Sequence, residues 1–439
     1  MSILLILLAG TIIRLFGLNQ SLWLDEATTA NVSRFSLDQI INSFSIHDFH
    51  PPGFYIFLKF WTDVFGNSPV SIRAPSIIFS LISAYFIFLI GRNLKNRTTG
   101  LWSAAFFLFN PLIVYYSQEA RMYMMSTCLL TIAAYALIKL QSLASLNKIY
   151  YLVLFNLCVG LSFLTFYGTV FLIATFYLYL LFKRQFKLIF LLLPGFLIAL
   201  ILIVPLLFQQ YSSSKEQLHL VVNWSSVLGV ANLKNLILIP LKFSFGRISF
   251  YPKIIYYILA GFWSLLVFVF SFKGFIRIPK LLFLFTVPLI LAFIFSLISP
   301  LFQYFRFLYL LPILSLGLAL GIRHLSVKSI FLSIFIFLSF LYLLNPAFHR
   351  EDWQSLSRLL PSDSAVYMIA SFSDPVKYYR PDVRIFDIRN LNNSPQSFYV
   401  IPYGESIHGF DHTTVLSVAG YQLDHLFPFN QIDLEFWRH

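Results

Sequence analysis

Three polar constellations interrupt an otherwise apolar chain. The first is Asp25 and Glu26, in the run SLWLDEATTA. Trp23, just before them, is an aromatic of the kind that settles at lipid headgroup depth. A carboxylate pair held there is costly unless solvated or paired, and it could take a proton from a hydroxyl as a general base. The competing role is a helix N-cap, which Asp also suits. The second constellation is HDFHPPGFY, with His47, Asp48 and His50 ahead of Pro51 and Pro52. The prolines fix the chain's direction. An Asp/His cluster can hold a divalent metal, but this spacing is no metal signature, and a loop in which His bonds backbone fits equally. The third is YYSQEARMYMM, residues 115–125, which sets Gln118, Glu119, Arg121 and Tyr123 between two apolar stretches. A structural salt bridge is the plain alternative there.

Arginines accompany these groups. Arg73 stands in SIRAPS, Arg306 in QYFRFLYLLP, and Arg14 lies inside the first apolar stretch. Guanidinium matches phosphate oxygens with its forked donors, although an arginine near headgroups can also simply snorkel. One acidic centre with several arginines suits a reaction in which a phosphate leaves and a hydroxyl accepts. Cations would stabilise the charge growing on the phosphate, and a carboxylate would take the acceptor's proton. Asp25 and Glu26 are the candidate carboxylates for that role. Arg73, Arg121 and Arg306 are expected to bind the phosphate. His50, Gln118, Glu119 and Tyr123 are expected to line the pocket.

These groups need a scaffold, and composition says which kind. Of 439 residues 58% are hydrophobic and 11% charged, with a mean hydropathy of +0.77. Soluble domains carry about 25% charged residues, so a soluble enzyme is excluded. The two cysteines, Cys128 and Cys158, both lie in apolar runs and form no disulfide framework. A span needs about 20 apolar residues. Eleven are expected, near 3–18, 74–91, 101–114, 122–140, 150–165, 166–182, 188–208, 254–272, 281–299, 304–322 and 329–345. The first lacks the basic start and small-residue cleavage site of a signal peptide. The short loops on one side carry thirteen basic residues, from Arg92 to Lys328, and no acid, whereas all 18 acidic residues fall on the other side. The positive-inside rule puts the short loops and the N-terminus in the cytoplasm. That rule also accounts for the net charge of +13 without nucleic acid. Outer loops 19–73 and 209–253 and the segment 346–439 then face outward. The loop at 209–253 includes LKNLILIPLKF, a candidate interfacial amphipathic helix. The last segment reads as a helix (EDWQSLSRLL), a strand (SAVYMIAS) and strand-like runs VRIFDI, SFYVIPY and TVLSVAGY, a small α/β domain. The expected architecture is an all-α polytopic membrane domain, 1–345, followed by an extracytoplasmic domain, 346–439.

With LWLDEA, HPPGFY, SIRAPSIIFSLISAYFIFLIGRNL and TGLWSAAFFLFNPLIVYYSQEARMY in this order, the first 140 residues resemble the GT-C superfamily of membrane glycosyltransferases. That superfamily is related to protein O-mannosyltransferases and the lipid A aminoarabinose transferase. QYFRFLYLLP resembles a late family helix with an arginine, and NPAFHREDW the start of the outer tail. The resemblance implies a polyprenyl-phosphate sugar donor and transfer of one sugar to a hydroxyl of a glycolipid, polysaccharide or protein. Transfer would occur on the outer face of the plasma membrane. It implies Asp25 as the catalytic carboxylate of the first outer loop, Arg121 and Arg306 facing the donor phosphate, and Glu119 organising the pocket. The motif WWDYG of the oligosaccharyltransferases is absent, and no counterpart of the extra lumenal domain of protein O-mannosyltransferases is visible. One activated hydroxyl displacing the phosphate inverts the anomeric centre. This chemistry requires no cofactor, with a divalent metal open at Asp48/His50. A transporter or lipid flippase is the alternative class. It predicts repeats around a midplane site, whereas the polar residues here gather at one face and no repeat is seen.

Overall fold

A computed structural model describes residues 2–142, 148–362, 364–391 and 396–439. Without water to take up its polar groups, a backbone in lipid closes its hydrogen bonds within helices, and the apolar runs do so. Eight helices among the described residues are long and apolar enough to cross a membrane. They are Pro69–Leu94, Tyr123–Ser142, Lys148–Thr165, Pro194–Glu216, Lys253–Arg277, Pro279–Ser296, Tyr304–Gly321 and Leu325–Leu344. The chain is a multi-pass membrane protein.

The eleven expected spans all fall on apolar helices, but four depart from a simple crossing. Ile3–Leu15 is only 13 residues long, because the chain leaves the helix at Phe16 and turns at Gly17 with φ +67°. Tyr167–Phe182 is also short. The stretch expected at 101–114 is two helices, Arg97–Leu108 and Pro111–Ser117, meeting at 63°. Asn110 makes that bend. Its side-chain oxygen accepts from the amides of Leu112 and Ile113, its Nδ2 donates to Phe243 O, and Pro111 suits the first helical turn. The bend delivers Gln118–Arg121 to the polar end of the bundle. The stretch at 188–208 is likewise divided, with Pro194 opening a new helix after Phe186–Leu192. Part of the connection after Ser142, expected as a cytoplasmic loop, lies outside the described residues.

The first outer loop is largely helical. Leu24–Val32 and Gly53–Phe65 are its main helices. Gly53 follows the two prolines where a Cβ would collide with the Leu164 carbonyl, so the HPPG run presses against Lys148–Thr165. LKNLILIPLKF forms the helix Leu233–Phe245, capped by Asn232, with Ile239, Leu241 and Phe243 buried.

The C-terminal segment has its own core, built on Trp353, Leu356, Val366, Met368, Phe398 and Trp437. Its strands are β1 (Ala365–Met368), β2 (Arg384–Asp387), β3 (Ser397–Val400), β4 (Gln422–Phe429) and β5 (Ile432–Arg438), in the order β2-β1-β3-β5-β4. β1 is parallel to β2 and β3, and β5 is antiparallel to β3 and β4. EDWQSLSRLL, SAVYMIAS, VRIFDI and SFYVIPY match the expected helix and strands. TVLSVAGY does not: it lies mostly in the helix His412–Val418, because the Asp411 carboxylate caps the Thr413 amide and holds both threonine hydroxyls. The strands of that region are the hairpin β4–β5 beyond it. The segment docks on the first outer loop. The Thr28 hydroxyl donates to Asp374 at 2.5 Å, Asn31 Nδ2 donates to the Asp374 carbonyl, and the Tyr379 hydroxyl accepts from the Leu22 amide.

Candidate active site at the outer cavities

Asp25 and Glu26 are neighbours on one helix, and the helical turn sends them to different places. Leu24–Val32 starts at Trp23 with no side-chain cap, so Asp25 does not serve as the N-cap. Glu26 is buried and paired with Arg73 at 2.5 Å. Its other oxygen accepts from Arg73 Nε at 2.8 Å and the Ala120 amide at 2.9 Å. Arg73 also donates to the carbonyls of Leu18, Gln20 and Ser21. All five of its N–H donors are thus engaged inside the protein. The structure sets the expected roles of Glu26 and Arg73 aside from the large cavities. The two form a knot that ties the end of the first helix to Pro69–Leu94.

Asp25 instead faces open space. Its side chain is 39% exposed, with Oδ2 3.5 Å from Arg121 Nη2. It stands on the wall shared by two cavities. The larger, about 750 Å³, is lined by Asp25, Asp48, His50, Tyr55, Arg121 and Arg306, among others. Arg121 donates to the hydroxyls of Thr29 at 3.3 Å and Tyr55 at 3.4 Å, and its Nε is buried without a partner. The Tyr55 hydroxyl donates to Asp48 Oδ2 at 2.7 Å, and Asp48 Oδ1 lies 3.2 Å from His50 Nδ1. A continuous polar chain therefore runs from His50 to Asp25. Burial pushes the Asp48 carboxyl up, but His50, Arg121 and the Tyr55 hydrogen bond outweigh it and hold it below the usual carboxylate range. Burial, aided by Arg121 and Arg306, outweighs Asp48 and holds the His50 imidazole below its ordinary value.

Arg306 sits on the tight 3-10 turn Tyr304–Leu310, and its Nε is buried with no hydrogen-bond partner. Beyond it the space continues as an apolar pocket of about 220 Å³, lined by Phe166, Tyr167, Val170, Phe171, Phe295 and Phe307. His50 and Arg306 line both spaces. Asp48 and His50 are two potential donors side by side. They are engaged with each other and with Tyr55, and no group of three His, Cys, Asp or Glu side chains able to hold a metal occurs among the described residues.

The second cavity, about 540 Å³, lies on the other side of Asp25, against Trp23, Glu119, Tyr123, Arg247, Arg350 and Tyr403. Glu119 pairs with Arg350 at 3.3 Å. Its burial raises the carboxyl's pKa in spite of that partner. Gln118, expected in the pocket, lines neither large cavity. Its Nε2 donates to the carbonyls of Arg14 and Phe16, locking the first helix to the bend. Arg14 is fully buried, lines neither large cavity and donates to the carbonyls of Gly10 and Leu108, with its Nε unpartnered. Of the expected residues, the structure gathers Asp25, His50, Glu119, Arg121, Tyr123 and Arg306 about the cavities.

Several lining residues escaped the sequence reading. Tyr55 closes the run HPPGFY, where the histidine and the prolines drew the attention. Arg247 is a lone cation in a loop of mixed composition. Arg350 falls in NPAFHREDW, after the last span, where its charge was the only signal. The C-terminal segment contributes Phe372 to both cavities and His408 to the larger one.

Comparisons with known proteins match part of the sequence and nearly the whole of the fold. Residues 49–208 match the family described as Dolichyl-phosphate-mannose-protein mannosyltransferase. No curated protein sequence matches the chain. Among solved structures, ArnT from Cupriavidus metallidurans in the apo state superposes with a TM-score of 0.61 at 11% identity, over 99% of this chain and 97% of that one. ArnT bound to undecaprenyl phosphate superposes with a TM-score of 0.60 at 11% identity, over the same shares of the two chains. The archaeal oligosaccharyltransferase AglB from Archaeoglobus fulgidus, in complex with an inhibitory peptide and a dolichol-phosphate, gives 0.52 at 12% identity, over 86% of this chain and 63% of that one. The fold is the GT-C fold. Within it this chain is similar to ArnT over nearly its whole length, with a small α/β domain following the helical bundle.

Proposed function

We propose that this protein is an integral membrane glycosyltransferase that moves one sugar from a polyprenyl-phosphate donor to an acceptor hydroxyl, with inversion, on the outer face of the plasma membrane. The observation that carries the reading is the position of Asp25. It is a half-exposed carboxylate on the wall between two cavities, one of which holds Arg121 and Arg306 and runs on into an apolar pocket. That pocket suits the first isoprene units of a lipid, and the arginines suit its phosphate. The match to a family described by a dolichyl-phosphate-mannose donor supports the same assignment.

In the reaction the acceptor oxygen attacks the anomeric carbon while its proton passes to Asp25. The bond between the anomeric carbon and the phosphate oxygen breaks, and the electron pair leaves with the phosphate. Arg121 and Arg306 are already in place to stabilise that charge. Arg121 also contacts Asp25, so one guanidinium orients the base and faces the leaving group. The step calls on no second nucleophile: Glu26 is closed off by Arg73, and Asp48 is held by His50 and Tyr55. The outward orientation rests on the thirteen basic residues of the opposite loops.

The test is to incubate purified full-length protein with synthetic polyprenyl-phosphate sugars and hydroxyl acceptors. Release of polyprenyl phosphate by wild type and not by Asp25→Asn is the expected result. If no donor of this class is cleaved while the same lipids are carried across proteoliposome membranes, the flippase reading takes its place.

A further inference from the structure

Among the described residues that line the larger cavity, four have a buried side-chain nitrogen with no hydrogen-bond partner: Arg121 Nε, Arg306 Nε, Trp224 Nε1 and His408 Nδ1. A buried polar group without a partner is costly and asks for a reason. A donor phosphate accounts for the two arginines, which come from the ends of membrane helices. Trp224 and His408 come from the outer segments, and no step of the transfer uses them. The fold nonetheless holds them in place. His408 closes the short helix Glu405–His408, framed by Gly404 at φ +76° and Gly409 at φ +64°. Glu405 is bound to His412 at 2.8 Å. Asn223, just before Trp224, donates from its amide to Ile407 O at 3.0 Å and from Nδ2 to Ser406 O at 2.7 Å. The turn that carries His408 is thus pinned from two sides, once by its own domain and once by the loop that carries Trp224. The Phe372 ring meets the imidazole edge-on at 5.5 Å, and Trp224 lies 6.0 Å from Phe49.

The chemistry of the pair suits a sugar ring. The charged groups nearest His408 are Arg389 and Asp387, which are bonded to each other at 2.8 and 2.7 Å. Burial and Arg389 outweigh Asp387 and hold the imidazole below its ordinary value, which keeps it uncharged at neutral pH. A neutral imidazole carries one donor and one acceptor nitrogen, the complement of a hydroxyl. An indole adds one N–H donor and a flat apolar face. We infer that His408 and Trp224 are the residues that select the donor sugar: with the phosphate on Arg121 and Arg306, they hydrogen-bond the ring hydroxyls remote from the anomeric carbon. This rests on reading the larger cavity as the donor site. Because Arg389 is neutralised by Asp387, the far end of the sugar is read through hydroxyls and not through a charged substituent. Sugar selectivity is then a property of the C-terminal segment and the second outer loop, whereas the phosphate is held by the helical bundle.

The experiment measures binding to full-length protein in detergent by thermophoresis. The probes are undecaprenyl phosphate and its glucosyl, galactosyl and mannosyl esters, three sugars that differ only in the direction of single hydroxyls. Wild type is expected to prefer one ester over the others by about tenfold, the most that one neutral hydrogen bond supplies. His408→Ala should bring the three esters together while leaving bare undecaprenyl phosphate at wild-type affinity. His408→Gln, whose amide both donates and accepts, should restore part of the preference. Trp224→Phe keeps a ring and loses the N–H, and should weaken the esters but not the bare lipid. A preference that survives His408→Ala overturns the inference, as does equal binding of the three esters by wild type. So does a loss in His408→Ala that falls equally on the bare lipid and the esters, which is the mark of a structural role. If wild type binds none of the four lipids, the donor reading itself fails and takes this inference with it.

Discussion

Glu26 and Asp25 are one residue apart, and each meets an arginine, yet the two pairs are opposites. The Glu26–Arg73 pair is buried and uses all its donors: two bonds within the pair, three from Arg73 to carbonyls, and one from the Ala120 amide. The Asp25–Arg121 pair is open on one side, touches at 3.5 Å and leaves Arg121 Nε without a partner. A charge whose hydrogen bonds are complete holds a fold together. A charge that is placed and left incomplete is available to a substrate. Local sequence cannot separate the two, because the distinction lies in the residues that arrive from Pro69–Leu94, from the bend at 118–121 and from the turn that follows the first helix.

Breaking the closed pair should have the largest effect on the protein itself. Glu26→Gln leaves Arg73 buried without its charge partner, a change that costs about 3–5 kcal/mol. The expected outcome is a sharp fall in yield and in thermal midpoint, measured by fluorescence-detected size exclusion. A normally folded Glu26→Gln enzyme with lost turnover would erase the contrast and make Glu26 part of the chemistry.

Next in size come the open cations. Arg306→Gln and Arg121→Gln should each weaken donor use about 10–100-fold, since a charge-assisted hydrogen bond contributes about 1.5–3 kcal/mol. Protein level should fall little. Donor titration of initial rates measures this, and wild-type efficiency in both variants would show that the phosphate lies elsewhere.

The smallest expected effect concerns another closed cluster. His412 is fixed between Glu405 and Glu435, each at 2.8 Å. Burial works against its charge, but the two carboxylates outweigh burial and raise it to about 9 from an ordinary 6.5. A pKa raised by folding gives stability that is fully present below 6.5 and lost as pH rises through about 9. Limited proteolysis of the C-terminal segment in the full-length protein should accelerate between those values. His412→Gln should flatten that dependence. An unchanged profile in the variant would show that His412 does not bind the helix His412–Val418 to β5.

The membrane architecture was legible because hydropathy is local: runs near 20 apolar residues became helices where expected. Some of the exceptions came from single residues with side chains able to satisfy the backbone. Asn110 bends one expected span, and Asp411 turns an expected strand into a helix. Of the site, Asp25, Arg121 and Arg306 could be singled out as ionisable groups at the edges of apolar runs. The assignment of Arg73 and Glu26 to the same site followed the same logic, and the fold separates them because they bond each other and fill their remaining positions with carbonyls and an amide, which no sequence pattern announces. Arg247 carried no periodic or motif signal, and Tyr55 and Arg350, although inside HPPGFY and NPAFHREDW, were given no role because their contacts depend on long-range approach.

The central claim is that Asp25 accepts the proton of the acceptor hydroxyl. Asp25→Asn keeps the shape of the side chain and removes the base, and loss of a general base costs about 10²–10⁴-fold in rate. The direct measurement is the initial rate of sugar transfer by Asp25→Asn beside its affinity for the polyprenyl-phosphate donor. The account predicts a rate reduced by at least a hundredfold with donor affinity and thermal midpoint close to wild type. Turnover within a few-fold of wild type would contradict it, and would leave Glu119, which also lines the smaller cavity, as the carboxylate to examine.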